Sequence, residues 1–220
     1  PDRDLFIFDT ETDQLVEVVE GLGTLLYDLT VDNLGRVFIA QTDARNTANG
    51  RSGTLKEGLG EMQNRAFLNQ VTRLDCLEGG CLEPIFYDLE PHPPENPDFI
   101  AALATPYGIQ VSADDKTLVG TAAGSDKVFT MDAATGEVLG QVGVGSVPRA
   151  LVLQMGEQGI ALKAWVLNAV GNSVSVVDLA SLDSPQLENT IVLEDPTEAH
   201  LKLGRQAFNS AAASSTGTFS

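Results

Sequence analysis

Short apolar runs that end in aspartate recur along this chain: LFIFD closes at Asp9, VTRLD at Asp75, VFTMD at Asp132 and VSVVD at Asp178. In LFIF and VSVV polar residues scarcely alternate with apolar ones, which predicts strands buried on both faces, as when one small sheet stacks on the next. Helical periodicity is scarce. After the first and third runs come turn residues, TETDQ and AATGE, and then second strands in LVEVV and EVLGQVGV. The closing Asp is read as an acceptor for the backbone of the turn that follows it, with calcium binding as the alternative. The other half of the unit repeats as well. YDLTVDNLGRVFIAQT, YGIQVSADDKTLVGTA, and PRALVL with the later KAWVLNAV each read strand, polar connection, strand.

Each full unit therefore holds four strands, and the Asp-to-Asp spacings of 66, 57 and 46 residues shrink toward the period of propeller blades. The predicted fold is all-β: a partial β-propeller of four-stranded antiparallel blades over residues 1–195, three full units and one partial, with a short helical insertion. The insertion covers residues 43–70, its helix expected in KEGLGEMQNRAFL. The fourth unit lacks its second half, so strand edges and one hydrophobic blade face are expected to lie open. The simplest expectation is a piece of a longer chain with further blades before Pro1; a small closed ring, or another chain completing the sheet, are the alternatives. Phe6, Phe129 and Val176 are expected at equivalent places in successive modules, and Trp165 in a blade core.

The pattern VxVxD, turn, VxxxxVGxxP, apolar strand, polar turn, apolar strand resembles the YVTN type of propeller repeat. Its best copy is DKVFTMDAATGEVLGQVGVGSVPRALVL, residues 126–153. The resemblance covers most of residues 4–195, and repeats of this kind specify fold better than function.

Composition narrows the function classes. With 43% hydrophobic residues in 220, a substantial core is affordable. Thirteen basic residues against 31 acidic leave a net charge of −18, which repels phosphate backbones and anionic membrane surfaces. No nucleic-acid partner is expected, and no apolar run is long enough for a membrane span. Cys76 and Cys81 flank a Gly-Gly pair between apolar segments, which suggests a hairpin clipped by a disulfide. Free thiols, or a redox or metal pair, remain open at that point. A disulfide implies an oxidising location, periplasmic or extracellular. No nucleophile elbow, phosphate loop or zinc motif is present, so no catalytic or metal-binding residues are assigned.

Residues 196–220 depart from the blade pattern and read as a linker. Leu203, Gly204, Arg205, Phe208, Ser215, Gly217, Thr218 and Ser220 make this stretch similar to the lead-in to the first haem-attachment motif of dihaem cytochrome c peroxidase-like proteins. The resemblance implies a c-type haem domain downstream, to which catalysis of a peroxidase-like oxidoreductase or electron transfer would belong. This chain itself contains no C-x-x-C-H and binds no haem covalently. On this reading the chain is a non-catalytic scaffold or docking module of an exported bacterial protein, its partner a haem domain of the same chain or a redox protein. Alternatives are a stand-alone surface propeller for recognition or adhesion, or a non-catalytic propeller subunit of a quinoprotein dehydrogenase.

From Arg45 to Arg73 five basic residues stand against two acids, a local charge of +3 on a very acidic protein. Arg45, Arg51, Lys56 and Arg65 are the candidate docking residues, with Arg51 held between Gly50 and Gly53 where backbone can approach a ligand closely. A solvated loop is the other reading. His200 and Arg205 are candidate contacts to the haem domain, and His92, in EPHPPENP, is read as part of a solvated loop.

Overall fold

The computed structural model describes residues 3–46, 48, 65–77 and 80–211. β1 (Leu5–Phe8) and β2 (Leu15–Val19) form a two-stranded half-blade. Blade I contains β3 (Leu25–Val31), β4 (Arg36–Ala44), β5 (Phe67–Leu77), the two-residue β6 (Gly80–Cys81) and β7 (Ile85–Asp88). Blade II follows as β8 (Pro106–Val111), β9 (Thr117–Ala122), β10 (Lys127–Asp132) and β11 (Val138–Gly143). Blade III is β12 (Pro148–Met155), β13 (Ala161–Asn168), β14 (Ser173–Asp178) and β15 (Gln186–Val192). All pairings are antiparallel, and the helix α1 (Ala199–Asn209) comes after them. The chain is a partial all-β propeller.

The four Asp-terminated runs are β1, the end of β5, β10 and β14, that is, the third strand of each full blade and the first strand of the half-blade. The sequence repeat is therefore offset from the sheets by half a blade: each unit supplies the outer pair of one blade and the inner pair of the next. Turn chemistry repeats with it. Asp9 Oδ1 accepts from the N–H of Glu11 and Thr12 and from the Thr12 hydroxyl; Asp132 Oδ1 accepts from Ala134, Thr135 and the Thr135 hydroxyl in the same way. Asp178 takes the N–H of Ala180, whereas Asp75 departs from the pattern and pairs with Arg73 at 2.6 Å.

Consecutive residues of a strand point to opposite faces, and in blade II both faces find a neighbour. Phe129, Met131, Leu118 and Ile109 pack on Phe38, Ala40 and Val71 of blade I, while Val119 and Val128 pack on Leu151, Ala164, Val166 and Val177 of blade III. Every residue of β9 is buried as a result. Leu5 and Val19 cover Val37, Ile39 and Leu74 at the half-blade boundary. Phe6 and Phe129, each three residues before its Asp, hold one equivalent position; in β14 that position is Ser175, not Val176 as expected, because Val176 lies one residue nearer its Asp and faces the other way. Trp165 is also not a core residue. It is 41% exposed on the outer face of blade III, in register with Val152 and Val176.

β4 and β5 pair from Arg36 and Asp75 through Ala44 and Phe67, so strands take up both ends of residues 43–70. Of the helix expected there, Phe67 and Leu68 are strand and residues 56–64 lie outside the described residues. Cys76 and Cys81 face each other across β5 and β6 and are disulfide-bonded. Among the described residues no helix is long and apolar enough to cross a membrane.

Candidate functional site

Of the four candidate docking residues the structure describes two, Arg45 and Arg65. Arg51 and Lys56 lie outside the described residues. Arg45 is half-buried, its guanidinium donating to the Arg65 carbonyl at 3.0 Å. Arg65 is 1% exposed and pairs with Glu90 at 2.9 Å, so its charge is spent inside the fold. His200 is exposed beside Glu198, and Arg205 pairs with Asp195 at 3.2 Å.

Asp195 is where α1 is tied back to the strand that precedes it. Its carboxylate accepts from the Thr197 N–H and meets Lys202 and Arg205, while its carbonyl accepts from the Lys202 ammonium. The Thr197 hydrogen bonds first, then the two cations, bring this carboxyl down to about 2. A carboxyl lowered in the folded state stabilises above its unfolded pKa, ordinarily about 3.9, and loses that contribution as pH falls through the folded value. An NMR titration of the Asp195 carboxyl carbon is expected to show a midpoint near 2, moving back toward the ordinary value in Arg205→Gln.

A second set of residues converges near the propeller axis. The innermost strands β3, β8 and β12 lie side by side but belong to different sheets, so their inner N–H groups need other acceptors. Side chains supply them: Asp28 Oδ2 accepts from Ile109 N–H, Thr30 from Val111 and Gln110 Oε1 from Leu153. Each inner strand also slips register once near its start, at Leu26/Asp28, Pro106/Ile109 and Pro148/Ala150. A bulge of this kind re-aims the extra residue. Those residues include Tyr27, Tyr107 and Arg149. The two rings stack with centroids 4.8 Å apart, and the Arg149 guanidinium carbon lies 5.1 Å from the Tyr107 centroid.

The backbone around this ladder is strained and tightly fitted. Thr105 and Val147, both β-branched and both preceding an inner-strand proline, have φ of 55° and 56°, a conformation such residues rarely adopt. Asn69 and Asp126 hold them by accepting their N–H groups at 2.9 and 2.7 Å. A Cβ on Gly108 would stand 2.4 Å from the Arg149 carbonyl oxygen, so only glycine allows β8 this close to β12. A cavity of about 210 Å³ opens here, lined by Tyr27, Thr105, Tyr107, Gly124, Arg149 and Asn209.

A larger cavity, about 580 Å³, lies against blade I and is lined by Asp4, Thr24, Asp43, Gln70, Asp88 and His92. His92 Nε2 stands 2.6 Å from Asp88 Oδ2, and Gln41, Gln70 and Asp88 are hydrogen-bonded in series behind it. A carboxylate in this position orients an imidazole for proton transfer, although Asp88 is the ring's only hydrogen-bond partner among the described residues. His92 is exposed, in keeping with the reading of EPHPPENP as a solvated loop, and its pairing with Asp88 of β7 is what that reading did not include. Aligning YDLTV, YGIQV and RALVL on their repeat position would have found Tyr27, Tyr107 and Arg149.

No protein-family model matches the sequence, and no curated protein does. Solved structures do match. Hydrazine synthase of Kuenenia stuttgartiensis aligns with a TM-score of 0.58 and 17% identity over 80% of this chain and 51% of that one. A 6-phosphogluconolactonase-like protein from Bacteroides uniformis gives 0.52 and 18% over 86% and 49%. A functionally unknown protein from Desulfotomaculum acetoxidans gives 0.51 and 14% over 86% and 49%. At these identities the likeness is one of fold, and the chain spans about half the length of the solved structures it matches.

Proposed function

We propose that this chain is a scaffold and docking module of an exported protein, carrying a c-type haem domain after residue 220 that packs on the outer side of α1. The observation that carries this reading is the helix itself. Its far end is anchored to blade II, where the buried Ala211 donates its N–H to the Gly124 carbonyl, and Asp195 clamps its near end. Leu201 and Phe208, seven residues apart and so on one helix face, are left outward, Phe208 at 87% exposure. The resemblance of residues 203–220 to a haem-domain lead-in supports the choice of occupant. The disulfide supports export. The uncovered outer face of blade III, with Val152, Trp165, Leu167 and Ile191, and the match to half of each solved structure favour completion of the ring by further four-stranded blades.

The test uses the full-length protein. Phe208→Asp is expected to leave the haem Soret band unchanged while speeding proteolytic cleavage within residues 196–220 by about tenfold, since a docked segment is cut only when it opens. In wild type, an acrylamide-quenching measurement at Trp165 should show it shielded. Absence of a haem spectrum, or an unchanged cleavage rate in the variant, overturns the haem-docking reading; an accessible Trp165 overturns completion of the ring.

A further inference from the structure

We propose that the axial cavity between Tyr107 and Arg149 is a binding site for a small carboxylate ligand. Arg149 is exposed, and among the described residues no carboxylate lies within salt-bridge distance of it, although acids outnumber bases 31 to 13 in the chain. The carboxylates on neighbouring elements are already engaged: Asp28 accepts from Leu29 and Ile109, and Asp126 from Val147. The one cation of the three inner strands is thus left for something else.

The surroundings set the ligand's chemistry. A guanidinium over an aromatic ring has N–H groups left for a planar acceptor that takes two parallel hydrogen bonds, which a carboxylate provides. The strained Thr105 and Val147, the close approach at Gly108 and the stacked Tyr27 set the Tyr107 ring and the Arg149 backbone before any ligand arrives, which lowers the ordering cost of binding. Apart from Arg149 the walls carry no charged side chain, and the volume of about 210 Å³ suits a small organic acid. One cation matches one carboxylate. A phosphate dianion would bring excess negative charge into a protein of net charge −18.

Propionate is the probe, titrated calorimetrically into the intact protein and into Arg149→Gln and Arg149→Lys, with circular dichroism and urea midpoints as folding controls. Both variants are expected to weaken binding by about tenfold or more, Lys included because it lacks the fork. In wild type, the Arg149 side-chain Nε–H resonance should shift on addition of propionate, a readout that needs no variant. No binding to wild type at tens of millimolar, equal affinity in Arg149→Gln, or a stationary Nε–H resonance overturns the site. Phosphate binding as tightly as propionate overturns the carboxylate assignment.

Discussion

Glu90→Ala is expected to cost about 3–5 kcal/mol of folding stability, read as a lower urea midpoint at unchanged slope, because it strips the counter-ion from a buried guanidinium. Glu90 Oε2 accepts from Arg65 Nη2 and Asn69 Nδ2, both at 2.9 Å, and Oε1 accepts from the Leu103 N–H at 2.8 Å. Burial pushes this carboxyl up, while the Asn69 and Leu103 hydrogen bonds and the charges of Arg65 and Lys127 work against that rise. Removing the carboxylate leaves one charge and two donors without their partner in a dry site, each costing free energy on its own.

A paired variant separates the charge from the hydrogen bonds. Arg65→Met with Glu90→Leu removes both charges and should recover part of the loss. A residue of roughly 1–3 kcal/mol should persist, since the Leu103 N–H and the Asn69 amide still lack an acceptor. The cluster also reaches the axis: Asn69 Oδ1 accepts the Thr105 N–H, two residues before Tyr107. Glu90→Ala is therefore expected to loosen the Tyr27–Tyr107 stack, visible as broadened Tyr107 ring resonances. A cost below about 1 kcal/mol would mean that the Pro91 and Glu95 carbonyls, which already accept from Arg65 Nη1, carry the guanidinium without Glu90.

What was legible in the residues, and what was not, follows from the range of the interactions involved. Strand runs, turn aspartates and the hairpin at Cys76 and Cys81 are local, so periodicity and turn chemistry exposed them. At Arg65 the basic character of the insertion was no guide to exposure, because charge count says nothing about pairing. Arg65 finds Glu90, 25 residues away, only once β5 and the loop after β7 are folded together. Trp165 misled for a different reason: large apolar residues are expected inside, and its face of blade III has no neighbouring blade among the described residues. The axial ladder was hidden in plain repeat positions. Its three side chains come from strands in three separate sheets, and their convergence depends on bulges that sequence periodicity does not reveal.

The same half-blade offset makes Phe129 and Phe6 a matched pair with unequal expected costs. Phe129→Ala should destabilise by about 3–5 kcal/mol, because its ring is fully buried between blades I and II and the space it leaves is walled by Leu118, Ile109 and Phe38. The fit is close enough that a Cβ on Gly120 would stand 2.3 Å from the Phe129 Cζ, so the floor under the ring is the bare backbone of Gly120, which brings no side chain to fill the void. Phe6 occupies the same repeat position on β1, yet no blade precedes it among the described residues and its ring is half-exposed. Phe6→Ala should cost only about 1 kcal/mol, the transfer free energy of the part that is covered. Urea unfolding of the two variants side by side measures the difference. Equal costs would mean that Phe6 is covered as fully as Phe129, and that blade boundaries, not strand registers, have been drawn in the wrong place.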